Sequence, residues 1–323
     1  MSIRRNLIAI TAVAGIGAAL AACGGGRSAD TGAASTAANA DTSLSGTIVL
    51  DGSSTVAPLA TLAAEKFRAT APNVNVTVGT SGTGGGFEKF CNGETDVSDA
   101  SRAIKDEEKA ACDAKGITFK ELLVANDGIA IVVNKENTWA KCLTVDQLAA
   151  MWGPDSKAAT WKDIDPSFPA EPLKLYGPGT DSGTFDFFTK SINGEEKASR
   201  TDYSPSEDDN VTIKGVEGEK GGLGYFGLSY YEQNKDQLNL VSVDGGGGCV
   251  APSTETVQSG AYTPLSRPLY MYIADKAATR PEVKAFVDFY AANEPELTKQ
   301  ALFVPLSGDQ NGTLASEAKK IAG

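Results

Sequence analysis

The chain has 323 residues, 41% hydrophobic and 22% charged, and its 41 acidic against 29 basic side chains leave a formal net charge of −12. That excess argues against nucleic acid or an anionic lipid surface as a partner. There is no histidine, which removes Ser-His-Asp and Cys-His catalysis and the commonest zinc and haem ligands, and so argues against an enzyme.

The first feature in chain order is an export signal. Arg4 and Arg5 precede an apolar run of small residues, Leu7 to Ala22, too short and too poor in large side chains for a comfortable membrane span. The run ends Leu20-Ala-Ala-Cys23, which resembles a bacterial lipoprotein cleavage box. The resemblance makes 1–22 a signal peptide and Cys23 a lipidated first residue; the alternative is an ordinary signal with an incidental cysteine. Residues 23–45 are almost wholly small and polar, without apolar periodicity, and read as a flexible tether. Cleavage would remove Arg4 and Arg5 and no acid, taking the charge from −12 to −14.

About 280 residues remain, enough for two α/β lobes. A β-branched strand, Gly46–Asp51, leads to a helix over Val56–Arg68, with Pro58 in its first turn and Leu59, Leu62, Ala63 and Phe67 on one stripe. Asn73–Val78 alternates as a strand and enters a glycine turn and a helix over Phe87–Cys91. A brief strand and loop cover Thr95–Arg102, and strands are predicted over Ile117–Val124 and Ile129–Asn134. This alternation predicts βαβ units and a mostly parallel sheet. Thr144 and Gln147 form a capping box for a helix over Thr144–Met151. Leu173–Tyr176 is a strand, Phe185–Ile192 a helix, Gly221–Gly227 a glycine-aromatic strand, and Arg267–Ile273 another strand. Pro281–Asn293 is a helix with Val283, Phe286, Val287 and Tyr290 inward.

Three turns rich in glycine and hydroxyl residues join strands to helices: Asp51-Gly-Ser-Ser-Thr-Val-Ala-Pro58, Gly79-Thr-Ser-Gly-Thr-Gly-Gly-Gly-Phe87 and Gly177-Pro-Gly-Thr-Asp-Ser-Gly-Thr-Phe185. Each leaves backbone N–H groups at a helix N-terminus, where the helix dipole also favours negative charge. Taken singly, such a turn is as often a tight connection, and Ser54 a simple helix cap. Together they suggest a cage of neutral donors around one oxyanion. No lysine follows the glycines as in a phosphate-cradling nucleotide loop, and Gly82-x-Gly84-x-x-Phe87 lacks the third glycine of the dinucleotide fingerprint. Asp208, Asp209 and Asn210 lack the spacing of a dedicated metal loop.

These motifs, with Asp99-Ala-Ser-Arg-Ala-Ile104, Ser206-Glu-Asp-Asp-Asn210, Gly222-Leu-Gly-Tyr-Phe226 and Pro264-Leu-Ser-Arg-Pro-Leu269, resemble the phosphate-binding lipoproteins of bacterial Pst-type ABC transporters. The resemblance runs in order from Gly46 onward. It implies an α/β, two-lobed type II periplasmic-binding-protein fold with two crossover strands, Ile129–Asn134 and Arg267–Ile273, as hinge. Lobe one is then 46–131 with 268–323, and lobe two is 132–267. The same resemblance implies that Ser54 and Thr55 donate from the first turn, and Thr83, Gly84 and Gly85 from the second, with Ser81 a fallback. Ser182, Gly183 and Thr184 close from lobe two, and Arg102 supplies the charged donor; otherwise Arg102 is a surface arginine. One departure concerns the enterobacterial branch, which has a carboxylate in place of Arg102 and an arginine four positions before the serine of Ser-Gly-Thr. Here Pro178 takes that arginine's place and Asp181 precedes Ser182. Cation and carboxylate read as exchanged between the walls. Asp181 then accepts the proton that phosphate carries and sulfate lacks; as an alternative it caps the following helix.

Apart from Cys23 there are four cysteines, and an even number in an exported chain favours disulfides, with free buried thiols as the alternative. Three pairings exist; Cys91–Cys112 with Cys142–Cys249 keeps each bond within one lobe of this layout. The expected function is extracytoplasmic binding of inorganic phosphate and its delivery to an ABC-transporter permease, by a lipid-anchored monomer without cofactor or metal. Alternatives are another oxyanion such as sulfate or molybdate, a phosphate sensor, or a phosphoester hydrolase using Ser54 or Ser182, which would lack a histidine base.

Overall fold

The computed structural model describes residues 41–180, 182–206 and 208–322, so Cys23, most of the tether and Asp181 lie outside the described residues. The first half of the chain forms β1 (Ser45–Gly52), α1 (Ala57–Thr70), β2 (Asn73–Gly79), α2 (Gly82–Cys91), β3 (Val97–Ala100), α3 (Asp106–Ala114) and β4 (Phe119–Asn134). There follow β5 (Cys142–Thr144), α4 (Val145–Trp152), β6 (Lys174–Gly177), α5 (Gly183–Asn193), β7 (Ser204–Pro205), α6 (Asp209–Gly218) and β8 (Gly222–Gly227). The rest is α7 (Leu228–Asn234), β9 (Leu238–Asp244), β10 (Cys249–Val250), α8 (Thr254–Gln258), β11 (Ser266–Ala274), α9 (Pro281–Gln300) and α10 (Gly308–Ala322).

Two apolar cores divide this unit. One draws on residues from Ile48 to Ala125 and from Leu269 to Ile321, the other on Ile129 to Leu265 together with Val304. Parallel pairing is confined to the flanks, where β1 lies between β2 and β3, β6 between β7 and β8, and β5 beside β9. The middle is antiparallel: β11 pairs β3 and β4, and β4 pairs β8 and β9. The sheet is therefore mixed, because the strands that link the cores run against those that build them.

The strands read separately over Ile117–Val124 and Ile129–Asn134 are one strand, β4, sixteen residues long. Asn126-Asp127-Gly128 stays extended because β11 pairs with it, Arg267 opposite Asp127 and Ser266 opposite Gly128, before β8 takes over at Ile129. Helix α4 begins as read, with Thr144 and Gln147 in a capping box. Helix α9 continues past Asn293 to Gln300 and contains Pro295, and α10 carried no signal that the sequence reading used. Disulfides join Cys91 of α2 to Cys112 of α3, and Cys142 of β5 to Cys249 of β10. Among the described residues no helix is long and apolar enough to cross a membrane.

Helix α2 starts at Gly82, five residues earlier than Phe87, so four glycines lie inside its first half. The reason is contact. A Cβ on Gly86 would sit 2.5 Å from the Cα of Gly52, so the helix rests on the end of β1 backbone to backbone. Gly52 has φ of 150°, and a Cβ there would overlap the carbonyl oxygen of Asp99 on β3. Neither a side chain nor an ordinary L-residue backbone fits. Gly52→Ala should therefore destabilise the protein by about 2–4 kcal/mol, read as a lowered urea midpoint at unchanged slope. A wild-type midpoint would mean that the contact relaxes freely.

Candidate functional site

Three strand ends, those of β1, β2 and β6, deliver the three glycine turns. At the first, Ser53 donates its N–H to the Asp99 carbonyl at 2.9 Å, and its hydroxyl accepts from the Thr55 N–H at 3.2 Å. The Ser53 carbonyl then takes the N–H groups of Val56 and Ala57 at 3.1 and 3.0 Å, which turns the chain into α1. Thr55 is buried and Ser54 half-buried.

The second turn is pinned by a carboxylate from the first strand. Asp51 accepts from the Ser81 N–H at 3.0 Å, from the Ser81 hydroxyl, and from Lys89 Nζ at 2.6 Å. Ser81 is thus committed to the scaffold. Burial disfavours the charge on Asp51, but the hydrogen bonds from Lys89 and Ser81 outweigh it and hold the carboxyl below its usual range. Thr83, in the first turn of α2, accepts from the Ser101 N–H at 3.2 Å, and the two hydroxyls are 3.2 Å apart. Gly84 is exposed beside it.

Arg102 follows Ser101 at the end of β3. Its Nη1 and Nη2 donate to the Glu108 carboxylate at 2.8 and 2.7 Å, and the guanidinium lies 5.7 Å from the Phe87 ring centroid. The Glu108 hydrogen bond raises its pKa above the ordinary arginine value against the opposing effect of burial. A Cβ on Gly84 would be 4.0 Å from Arg102 Nη2, so Arg102 borders the second turn.

The third turn begins α5. The Ser182 hydroxyl caps the helix by accepting from the Thr184 and Phe185 N–H groups at 3.2 and 3.5 Å. Gly183 meets the first turn: a Cβ on it would overlap Thr55 Oγ1 and come within 3.0 Å of the Thr55 nitrogen. Thr184 is half-buried beside Gly183. The structure thus brings Thr55 against Gly183, and Thr83 beside Ser101 and Arg102, while Ser54, Gly84, Ser182 and Thr184 flank these contacts.

Four groups at the site went unread in the sequence as functional. Arg267 donates from Nη2 to Thr55 Oγ1 at 2.8 Å and to the Gly183 carbonyl at 3.3 Å. Its partner Asp127 accepts from Nε at 3.1 Å. Burial lowers the Arg267 pKa, with Asp127 opposing. The available signal was a charge beside apolar runs: Asp127 between Leu122–Ala125 and Ile129–Val133, and Arg267 just before Pro268-Leu-Tyr-Met-Tyr-Ile273. Glu108 and Asp99 are the other two.

A model of the PBP superfamily domain matches residues 36–294. Phosphate-binding protein PstS of Staphylococcus saprophyticus is 44% identical over 287 residues, covering 88% of this chain and 83% of that protein. The chain belongs to the PstS family of this superfamily. Protein SphX of Synechococcus elongatus is 47% identical over 262 residues, 80% of this chain and 77% of that protein. Among solved structures, a possible phosphate binding protein from Planctomyces limnophilus superposes with a TM-score of 0.83 at 42% identity. It covers 87% of this chain and 100% of its own.

Behind the first turn, Asp99 is fully buried, and its two carboxylate oxygens have no hydrogen-bond partner among the described residues. Burial, and then the charge of Asp51, push its pKa up to about 8. The unfolded value is about 4, so between the two the folded protein holds a proton that the unfolded chain has lost. The contribution of Asp99 to stability should fall as pH rises from about 4 towards 8. Asp99→Asn keeps the shape and abolishes the titration, so its urea midpoint should fall less across that range. Parallel curves for the two proteins would show that Asp99 stays ionised.

Proposed function

We propose that the protein binds inorganic phosphate in the cleft where the three turns meet and delivers it, outside the cytoplasm, to the permease of an ABC transporter. In this reading it is a binding protein rather than an enzyme, a monomer held to the membrane by a lipid on Cys23. The observation that carries the reading is the contact of Gly183 with Thr55. Two helix N-termini from the two cores face each other there, with Thr83 and Arg102 grouped at the neighbouring second turn. Such a place concentrates neutral N–H and O–H donors for an oxyanion, and the family membership supports phosphate as that oxyanion.

The roles follow the donor chemistry. Ser54, Thr55, Thr83, Ser182 and Thr184 offer hydroxyls, and Gly84 in the first turn of α2 and Gly183 at the start of α5 offer N–H groups. Arg102, oriented by Glu108 on one side, offers its remaining donors to the anion. Asp181, beside Ser182 in sequence, is the proposed acceptor of the phosphate proton and hence the group that rejects sulfate. Lobe closure around the ligand presents the form that a permease would recognise.

Calorimetric titration of the soluble body, stripped of ligand by partial unfolding, should give one phosphate per chain and no heat with sulfate at equal concentration. Comparable binding of both anions would remove Asp181 from its role. Arg102→Ala should lose far more affinity than Arg68→Ala, which lies exposed in the last turn of α1. Ser54→Ala should cost about 1–3 kcal/mol of binding, the price of deleting a donor to a buried charge. Equal losses for the two arginine variants would place the anion elsewhere.

A further inference from the structure

Arg267 touches both cores from a position on neither. It lies on β11 opposite Asp127 on β4. There the chain passes between cores, one ending at Ala125 and resuming at Leu269, the other bounded by Ile129 and Leu265. The Arg267 and Asp127 side chains are only 13% and 8% exposed. From this anchorage the guanidinium reaches Thr55 Oγ1, in the turn after β1, and the Gly183 carbonyl, in α5. It also lies 3.8 Å from the centroid of the Phe187 ring, one turn further along α5.

Each contact has a consequence. A threonine hydroxyl has one proton, and since Thr55 Oγ1 accepts from a cation, that proton must point away from Arg267. A neighbouring charge also polarises the hydroxyl and makes it the stronger donor. Arginine does not lose its proton in a protein, so this orientation does not depend on pH. Phe187 packs in the second core and Thr55 leads into a helix of the first, so Arg267 makes all three contacts together only when α5 lies against the first turn. Asp127 neutralises the guanidinium, which therefore adds direction rather than net charge.

We propose that Arg267, anchored on the crossing strands by Asp127, is the latch of the cleft. It turns the Thr55 hydroxyl towards the bound anion and holds α5 of the second lobe closed over it. The inference rests on the phosphate reading of the same cleft, and Arg267 acts as a positioning residue through Thr55 and Gly183.

The test compares the mature soluble body with Arg267→Lys and Phe187→Leu, the second variant leaving the ion pair intact should the first fold poorly. Stopped-flow measurement with inorganic phosphate should show dissociation about ten-fold faster or more in Arg267→Lys, and a smaller increase in Phe187→Leu. Association should stay within about three-fold of wild type. At saturating phosphate, X-ray scattering should give a larger radius of gyration for Arg267→Lys than for wild type. A purely structural arginine would lower the melting temperature and leave the dissociation rate unchanged, which would overturn the latch. Wild-type protein without any phosphate signal would overturn the phosphate reading instead. The latch would then stand or fall on scattering alone, with equal radii for wild type and Arg267→Lys counting against it.

Discussion

At Gly52 three backbones approach more closely than any side chain permits, and the first two glycine turns are assembled around that approach. Helix α2 rests there through Gly86, whose Cβ would come 2.5 Å from the Gly52 Cα. On the other side the Asp99 carbonyl of β3 takes the N–H of Ser53 at 2.9 Å. The first turn is therefore closed against β3 while the second is laid over it, and the two helix starts become neighbours. Asp51 completes the arrangement by reaching from β1 to Ser81 and Lys89. A larger residue at Gly52 or Gly86 would separate the turns before it disturbed any apolar core.

A chain with a formal charge of −12 does not draw an anion by its overall field. The cleft does not assemble a bare positive patch either. Lys89 is matched by Asp51, Arg102 by Glu108 and Arg267 by Asp127. Each pair fixes where a cation's remaining donors point, so what the cleft offers is direction. In the phosphate reading proposed above, directional donors are worth more than the same groups in solution, because they are oriented before the ligand arrives. The two arginines differ in setting: Arg102 keeps 34% of its side chain exposed, whereas Arg267 keeps 13%. The first suits contact with an arriving ligand, the second the holding of protein parts together.

Much of the scaffold was legible because local chemistry decides it. The helix under Leu59, Ala63 and Phe67, the Thr144 capping box and the inward face of Val283, Phe286, Val287 and Tyr290 all follow from side-chain spacing, and these residues pack or cap as read. The glycine turns were legible as turns. The early start of α2 was not, because glycine is a poor helix former and only the distant Gly52 explains its use. The continuity of β4 depended on β11, a partner more than a hundred residues away. Arg267 stood at the start of a predicted strand and Asp127 between two of them, both as unexplained charges, and their meaning required the register that pairs them. Local spacing says nothing about such long-range pairs.

The crossing between cores carries a third segment besides β4 and β11. Val304 exchanges backbone hydrogen bonds of 2.9 Å with Asn126 and packs in the second core, although the sequence layout placed 268–323 in lobe one. Two residues on, Leu306 belongs to the first core, and its N–H is held at 2.9 Å by the buried Glu294 carboxylate. Ser229 and Gln258 bind the Phe303 and Pro305 carbonyls at 3.2 and 2.8 Å. Any opening of the lobes must therefore bend three adjacent extended segments together, which resists twisting more than a pair of strands does. Groups close to such an axis move least. Arg267 and Asp127 sit among these segments, so Thr55 and Gly183, which accept from the same Nη2, would come together at a nearly stationary guanidinium. If the latch proposed above operates, the crossing segments set the point at which closure is sensed.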